Sequence, residues 1–127
     1  MKRIISLFAA LTLLLLASCA SYKSSYNAIL LVHSNTDREA SMSFMEFEGT
    51  MVFKLKCDVS GRLSWNGELE SGEITVSIDN GGRSELFSAS SGDSIRGDGP
   101  DLNAGTVYII VETNGKCKEG SFSFEIE

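Results

Sequence analysis

Three thiols, one imidazole and two groups of carboxylates are the side chains whose type and spacing could do chemistry in this sequence. Nucleophilic catalysis needs a serine or cysteine beside a base. His33 is the one histidine, and it ends the apolar run Ala28–His33. No Gly-x-Ser-x-Gly elbow and no His-Glu-x-x-His motif accompanies it. Asp93, Asp98 and Asp101 lie in a glycine-rich stretch, and hard oxygen ligands in such a loop can hold Ca²⁺. The spacing is not that of an EF-hand, Arg96 sits among them, and Asp and Gly serve turns for local reasons. Arg96-Gly97-Asp98 matches an adhesion tripeptide, but three residues carry no specificity. Glu68, Glu70 and Glu73 could pair for glycoside hydrolysis, although a solvated acidic edge explains them as well. The expectation is no enzyme, no metal and no cofactor.

Sugar binding needs less machinery. Sheet faces can offer aromatic rings to flat sugar faces, and Trp65 and Tyr108 are available. Strand alternation turns Trp65 inward and Tyr108 outward, so Tyr108 is the candidate ligand contact. Cys57 and Cys117 form an even pair, which in an exported domain suggests a disulfide. Closing that loop would stabilise the fold by about 4 kcal/mol. Two buried free thiols are the alternative. Zinc has no support, because no Cys-x-x-Cys is present.

The first thiol has a different setting. Lys2 and Arg3 precede the apolar run Ile4–Leu16, which is too short for the roughly 20 residues that span a bilayer. The run suits a cleaved export signal. It ends in Leu16-Ala17-Ser18-Cys19, which resembles the lipobox of bacterial lipoproteins. That resemblance implies diacylglycerol on the Cys19 thiol, cleavage before Cys19 and further acylation of the new amine. Residues 1–18 would then be signal peptide, 19–27 a lipidated tether and 28–127 the folded domain. Two or three acyl chains make a durable anchor. The resemblance also implies a place in the cell membrane or outer membrane, and Ala20 after the cysteine permits outer-membrane sorting. An ordinary secretory signal cut near Ala20 is the alternative.

Charge narrows the partners. The chain has 11 basic and 17 acidic residues, and the signal holds Lys2 and Arg3 but no acid, which leaves a mature charge of about −8. Nucleic-acid binding runs on phosphate neutralisation, so this balance excludes it. It also argues against docking to anionic lipid by charge alone.

The elements that must position these groups are strands. Thr50–Val59 alternates, with Met51, Phe53, Leu55, Cys57 and Val59 on one face and Lys54 and Lys56 on the other. Ala28–His33, Ser41–Glu48, Arg62–Trp65, Glu73–Asp79, Arg83–Ser88, Thr106–Thr113 and Ser121–Glu127 supply further strands. The slip at Phe44-Met45 suggests a bulge. Glu48-Gly49, Ser60-Gly61, Asn66-Gly67, Asn80-Gly81-Gly82 and Asn114-Gly115 read as turns, and Ser88–Gly105 as the least regular stretch. Ile110 joins Tyr108 on an outer face. Short strands with frequent turn signals predict a single antiparallel β-sandwich of about seven to nine strands, jelly-roll-like in form. Leu102–Tyr108 is similar to a hairpin entry of bacterial extracellular β-sandwich modules. With Gly120-Ser121-Phe122 it makes the domain resemble small all-β clostridial-type lipoproteins. The expected function is that of a lipid-anchored structural or interaction module of the cell envelope, with an envelope protein as partner. The alternative is a carbohydrate- or peptidoglycan-binding module.

Overall fold

The computed structural model describes residues 22–127, and the lipobox and signal segment lie outside them. The described chain is all-β and antiparallel, with seven strands in one hydrogen-bonded sheet. They are β1 (Ser25–Ile29), β2 (Val32–Asn35), β3 (Glu39–Ser71), β4 (Glu73–Asp79), β5 (Arg83–Ser90), β6 (Asp93–Thr113) and β7 (Cys117–Ile126). No helix among the described residues is long and apolar enough to cross a membrane.

Two of these strands are far longer than the sequence pattern predicts. β3 has 33 residues and β6 has 21, and they pair with each other from Thr50↔Glu112 to Leu69↔Asp93. The ribbon they form folds over, so one sheet makes both layers of a β-sandwich. In the first layer, β2 and the start of β3 lie beside β7, then the last third of β3 and the first half of β6. In the second, the middle of β3 pairs with the second half of β6, followed by β4 and β5. β1 pairs with Glu46–Thr50 at the corner between them. β3 coils far enough that its two ends flank β7, with Ala40 and Trp65 both paired to Phe124.

The core sits between the layers. Phe53 of the second layer meets Phe124 of the first at 6.2 Å between ring centroids, and Phe87 of β5 stacks on Trp65 at 4.5 Å. Met51, Phe53, Leu55 and Cys57 are buried, as the alternation requires, whereas Val59 is 77% exposed. The register shift between Cys57 and Ser60 moves Val59 off the inward face. The expected slip after Phe44 is present, since Phe47 rather than Glu46 is the next buried residue. β7 slips at the same level, where Glu119 takes a positive φ of 48°.

Three glycines prove to be strand partners of aromatic rings, among them Gly67, read as a turn residue, and Gly97, left in an irregular stretch. Gly67 faces Phe122, Gly97 faces Trp65 and Gly120 faces Phe44 across the ladder. A Cβ on any of them would lie 2.3–2.4 Å from the facing ring. Asn66-Gly67 is therefore mid-strand, and Ser60-Gly61 and Glu48-Gly49 are bends inside β3 rather than hairpins. Ser88–Gly105 is mostly strand as well. At the other end, Ala28–His33 is not one strand. Leu30 takes a φ of 51° and splits it into β1 and β2. Ser25–Asn27, read as tether, belong to β1.

The bridge expected between Cys57 and Cys117 is absent, and both are buried free thiols. Cys117 opens β7, whereas Cys57 lies beside Gly61, where Ile126 closes β7. Ten strand residues at about 3.3 Å each separate those ends by about 30 Å. A disulfide needs Cα atoms within about 7 Å. Cys117 donates a hydrogen bond to the Glu73 carbonyl at 3.3 Å, and burial pushes its pKa above the ordinary value.

Where the ribbon bends, β3 loses a neighbour along Val52–Lys56, and side chains close the edge. Ser24 Oγ accepts the Val52 N–H at 2.8 Å. The Asn35 amide accepts the Lys54 N–H and donates to the Lys54 carbonyl, both at 2.9 Å. The Asp37 carbonyl accepts the Lys56 N–H at 2.7 Å. Such closure keeps an exposed edge from pairing with another chain. Asn35→Ala removes three exposed hydrogen bonds, the third from its amide to the Thr36 carbonyl, of roughly 0.5 kcal/mol net each. The expected loss is about 1–2 kcal/mol, read from the midpoint of urea unfolding at unchanged slope. For the thiols, iodoacetamide without reductant should add nothing to the folded protein. It should add two groups at Cys57 and Cys117 in denaturant, as read by intact mass.

Candidate functional site

Most of the chemically suggestive residues are already occupied by structure. Asp98 and Asp101 flank Arg62, with contacts of 2.9 and 2.7 Å, and together they hold its guanidinium pKa above the ordinary value. Asp93 turns away and accepts the Ser90 N–H at 2.7 Å. The three aspartates do not converge, and among the described residues no group of three His, Cys, Asp or Glu could hold a metal ion. Arg96-Gly97-Asp98 lies within β6, with Gly97 pressed on Trp65. His33 stands exposed on β2. Glu73 belongs to β4, where it accepts a hydrogen bond from Asn114 at 3.1 Å, so it does not join Glu68 and Glu70.

Both candidate aromatic rings are taken. Trp65 points inward, stacks on Phe87, and donates its indole N–H to the Gly99 carbonyl at 3.1 Å. Tyr108 stands on the outer face of the second layer, as its parity requires. Its ring faces Tyr22 at 5.0 Å instead of open solvent. Tyr22 donates its hydroxyl to Asp79 at 2.6 Å, and the Arg83 guanidinium lies 5.7 Å from its ring centroid. Arg83 also pairs with Glu112. Ile110, expected outside with Tyr108, is on that face but only 1% exposed. It lies in the cross-strand row Val52–Ile110–Ser77.

The outer face of the first layer is the open one. Pairing sets Ser34, Ser41, Ser123, Asn66 and Arg96 in one cross-strand row, and Val32, Ser43, Ser121, Glu68 and Ser94 in the next. Two grooves run across it. One of about 210 Å³ is lined by Ser34, Ser41, Ser64, Asn66 and Ser123, with Glu39 and Glu125 at its edge. The other, of about 480 Å³, has Phe44 and Gly120 at its base and four carboxylates around it: Glu68, Glu70, Asp93 and Glu119. Among the described residues, none of these four forms an ion pair. A smaller cleft continues from Glu70 and Glu119 to Met45 and Lys118. Met45, which lines this cleft, is 47% exposed, and Val32, 70% exposed, heads the cross-strand row that holds Ser121 and Glu68.

Sequence patterning marked Glu68 and Glu70 but not Asp93 or Glu119 as their companions. That grouping depends on β7 lying between the two ends of β3, a contact between residues remote in sequence. The exposure of Leu30 and Val32 was missed because Ala28–His33 resembles a buried strand.

No protein-family model matches the chain, and no curated protein matches it. Solved structures match its fold. A periplasmic inhibitor of g-type lysozyme from Aeromonas hydrophila aligns with 72% of this chain and 88% of its own, at 13% identity and a TM-score of 0.50. The pre-peptidase C-terminal domain of a collagenase from Bacillus anthracis aligns with 74% and 91%, at 12% identity and 0.50. A family 6 carbohydrate-binding module aligns with 85% and 88%, at 15% identity and 0.44. At such identities the first two likenesses show the shared β-sandwich fold.

The Tyr22 contact predicts a pH effect. The hydrogen bond to Asp79 is the main cause of a raised Tyr22 pKa, followed by burial and the Asp79 charge. The neutral phenol is the form the fold favours, so the contact's stabilisation is present below the ordinary value of 10.0 and lost as pH rises through the higher one. Phenolate absorbance, taken as the difference between wild type and Tyr22→Phe, should have its midpoint above pH 10.0. In Asp79→Ala the midpoint should fall.

Proposed function

We propose that this protein is a lipid-anchored, extracytoplasmic binding module of the cell envelope. In this reading it carries no catalytic activity, and its ligand is a basic segment of another envelope protein. One observation carries it: four carboxylates without an ion pair surround a groove, and the cleft that continues from it is lined by the exposed Met45. Exposed aliphatic side chains adjoining polar groups are the chemistry of a protein contact. Unpaired carboxylates select a cationic partner and speed encounter with it. A segment that alternates Lys or Arg with aliphatic residues would satisfy both. The lipobox resemblance of Leu16–Cys19 supports the anchor and the compartment. The Aeromonas hydrophila protein is a periplasmic inhibitor of a lysozyme, so a similar fold serves there to engage another protein. That precedent is compatible with this reading.

A second reading is favoured by the neighbouring serine groove. Ser34, Ser41, Ser64, Asn66 and Ser123 line it with hydroxyl and amide groups, the chemistry that pairs with the hydroxyls of a glycan or of peptidoglycan. With Trp65 inward and Tyr108 covered, such binding would rest on hydrogen bonds rather than on stacking.

Interferometry on the detergent-solubilised protein separates the two. The first probe is a peptide alternating lysine and leucine, and the second is purified peptidoglycan. The expected outcome is peptide binding that weakens with salt. Affinity should fall at least tenfold, about 1.4 kcal/mol, in the double variant Glu68→Lys, Glu70→Lys. The equal charge change Glu39→Lys, Glu125→Lys should leave it within twofold. Equal losses in both double variants would reduce the effect to net charge and remove the groove as its site. Peptidoglycan binding abolished by Asn66→Ala would favour the glycan.

A further inference from the structure

We infer that the face carrying Tyr22 is seated against the lipid headgroups of the membrane that holds Cys19, and that the acidic groove is thereby displayed outward. This rests on the lipid anchor proposed above and adds an orientation to it.

The first observation is the lack of slack in the chain after Tyr22. Its hydroxyl is bonded to Asp79 and its ring lies against Tyr108. Ser24 accepts the Val52 N–H, and β1 pairing starts at Ser25. Cys19 precedes Tyr22 by three residues, and a chain of three residues spans at most about 11 Å. A domain of about 100 residues has a radius of gyration of about 13 Å. The leash is thus shorter than the radius of the body it holds. Of the two outer faces, only the one that carries Tyr22 can reach the bilayer.

The second observation is the division of charge between the faces. Beside Tyr22 the exposed side chains include Lys23, Lys54 and Lys56 against the exposed acid Glu85, while the acids Asp79 and Glu112 are engaged by Tyr22 and Arg83. The opposite face exposes Glu39, Glu68, Glu70, Glu119 and Glu125 against the base Arg96. A surface of anionic headgroups attracts the first and repels the second within a Debye length of about 8 Å. Tether and field therefore act in the same direction. The exposed Leu30 and Val32 lie beyond β1, at the end remote from Tyr22, so their exposure is not explained by insertion into this bilayer.

The test uses the full chain, processed in bacteria and reconstituted into vesicles of phosphatidylethanolamine and phosphatidylglycerol. A bimane label is placed at Thr106→Cys, opposite Lys56, or at Ser94→Cys on the acidic face. Headgroup nitroxide lipids should quench the Thr106 label at least threefold more than the Ser94 label. Tyr22→Ala should reduce that ratio by half or more while the protein stays in the detergent phase. Equal quenching at both sites in protein that partitions with detergent would overturn the orientation and leave the anchor standing. Protein that remains in the aqueous phase would overturn the anchor and the orientation with it.

Discussion

The backbone ladder between β3 and β6 is the constraint on which the rest of this structure depends. Every buried N–H and C=O needs a partner, and the ladder supplies them along most of both strands. At about 3.3 Å per residue the 33 residues of β3 extend roughly 110 Å. A domain of this size is far narrower, so the ribbon has to fold over instead of ending. It bends at the register shifts after Cys57 and Arg62. Bending strips β3 of a neighbour at Val52–Lys56, and Ser24, Asn35 and the Asp37 carbonyl take over hydrogen bonds that neighbour would have made. Asn80 does the same for β6, accepting the Asn103 N–H at 2.8 Å and donating to the carbonyls of Asn103 and Thr106. The clamps sit where the ribbon crosses from layer to layer. They hold β2, the β4–β5 turn and the N-terminal segment in their places.

Alternation made the core legible. Met51, Phe53 and Leu55, then Ile74, Val76 and Ile78, then Phe122, Phe124 and Ile126 all face inward because a period of two needs no knowledge of the fold. Glycine misled, for a physical reason. Asn66-Gly67 has the composition of a hairpin turn, yet Gly67 is there because the Phe122 ring occupies the space of its Cβ. A glycine that lends room to a ring across the ladder and one that supplies a positive φ look alike in sequence. The distinction appears only once the partner strand is known. Val59 and Ile110 show the same limit in other forms. A bulge moved the first outward, and the second is buried on a face whose parity is outward.

The polar face follows from how the aromatic residues are used. Phe44, Trp65, Phe87, Phe122 and Phe124 all point between the layers, three of them opposite glycines. Their bulk fills the interior and leaves Ser, Asn and Glu for the alternate positions of β3, β6 and β7. The acidic groove is therefore a product of register as much as of composition. Glu68 and Glu70 come from the end of β3, Glu119 from β7 and Asp93 from β6. A one-residue slip of β7 would turn Glu119 to the other face and bring Gly120 out. The groove and the core are two consequences of one pairing.

The orientation of the domain depends on leash length more than on the strength of the Tyr22 contact. A half-buried hydrogen bond such as this one nets about 1 kcal/mol, which favours the closed arrangement only about fivefold. When Tyr22 lets go, the first fixed point becomes β1 at Ser25, and the span from Cys19 grows from about 11 to about 21 Å. That reach exceeds the radius of the domain, and the acidic face could then turn toward lipid. Opposing charge resists the turn, because carboxylates brought near anionic headgroups are repelled while Lys54 and Lys56 are drawn in. The N-terminal contact and the charge division guard against the same failure by different means. One is a contact at fixed distance and insensitive to salt, and the other is a field that salt screens.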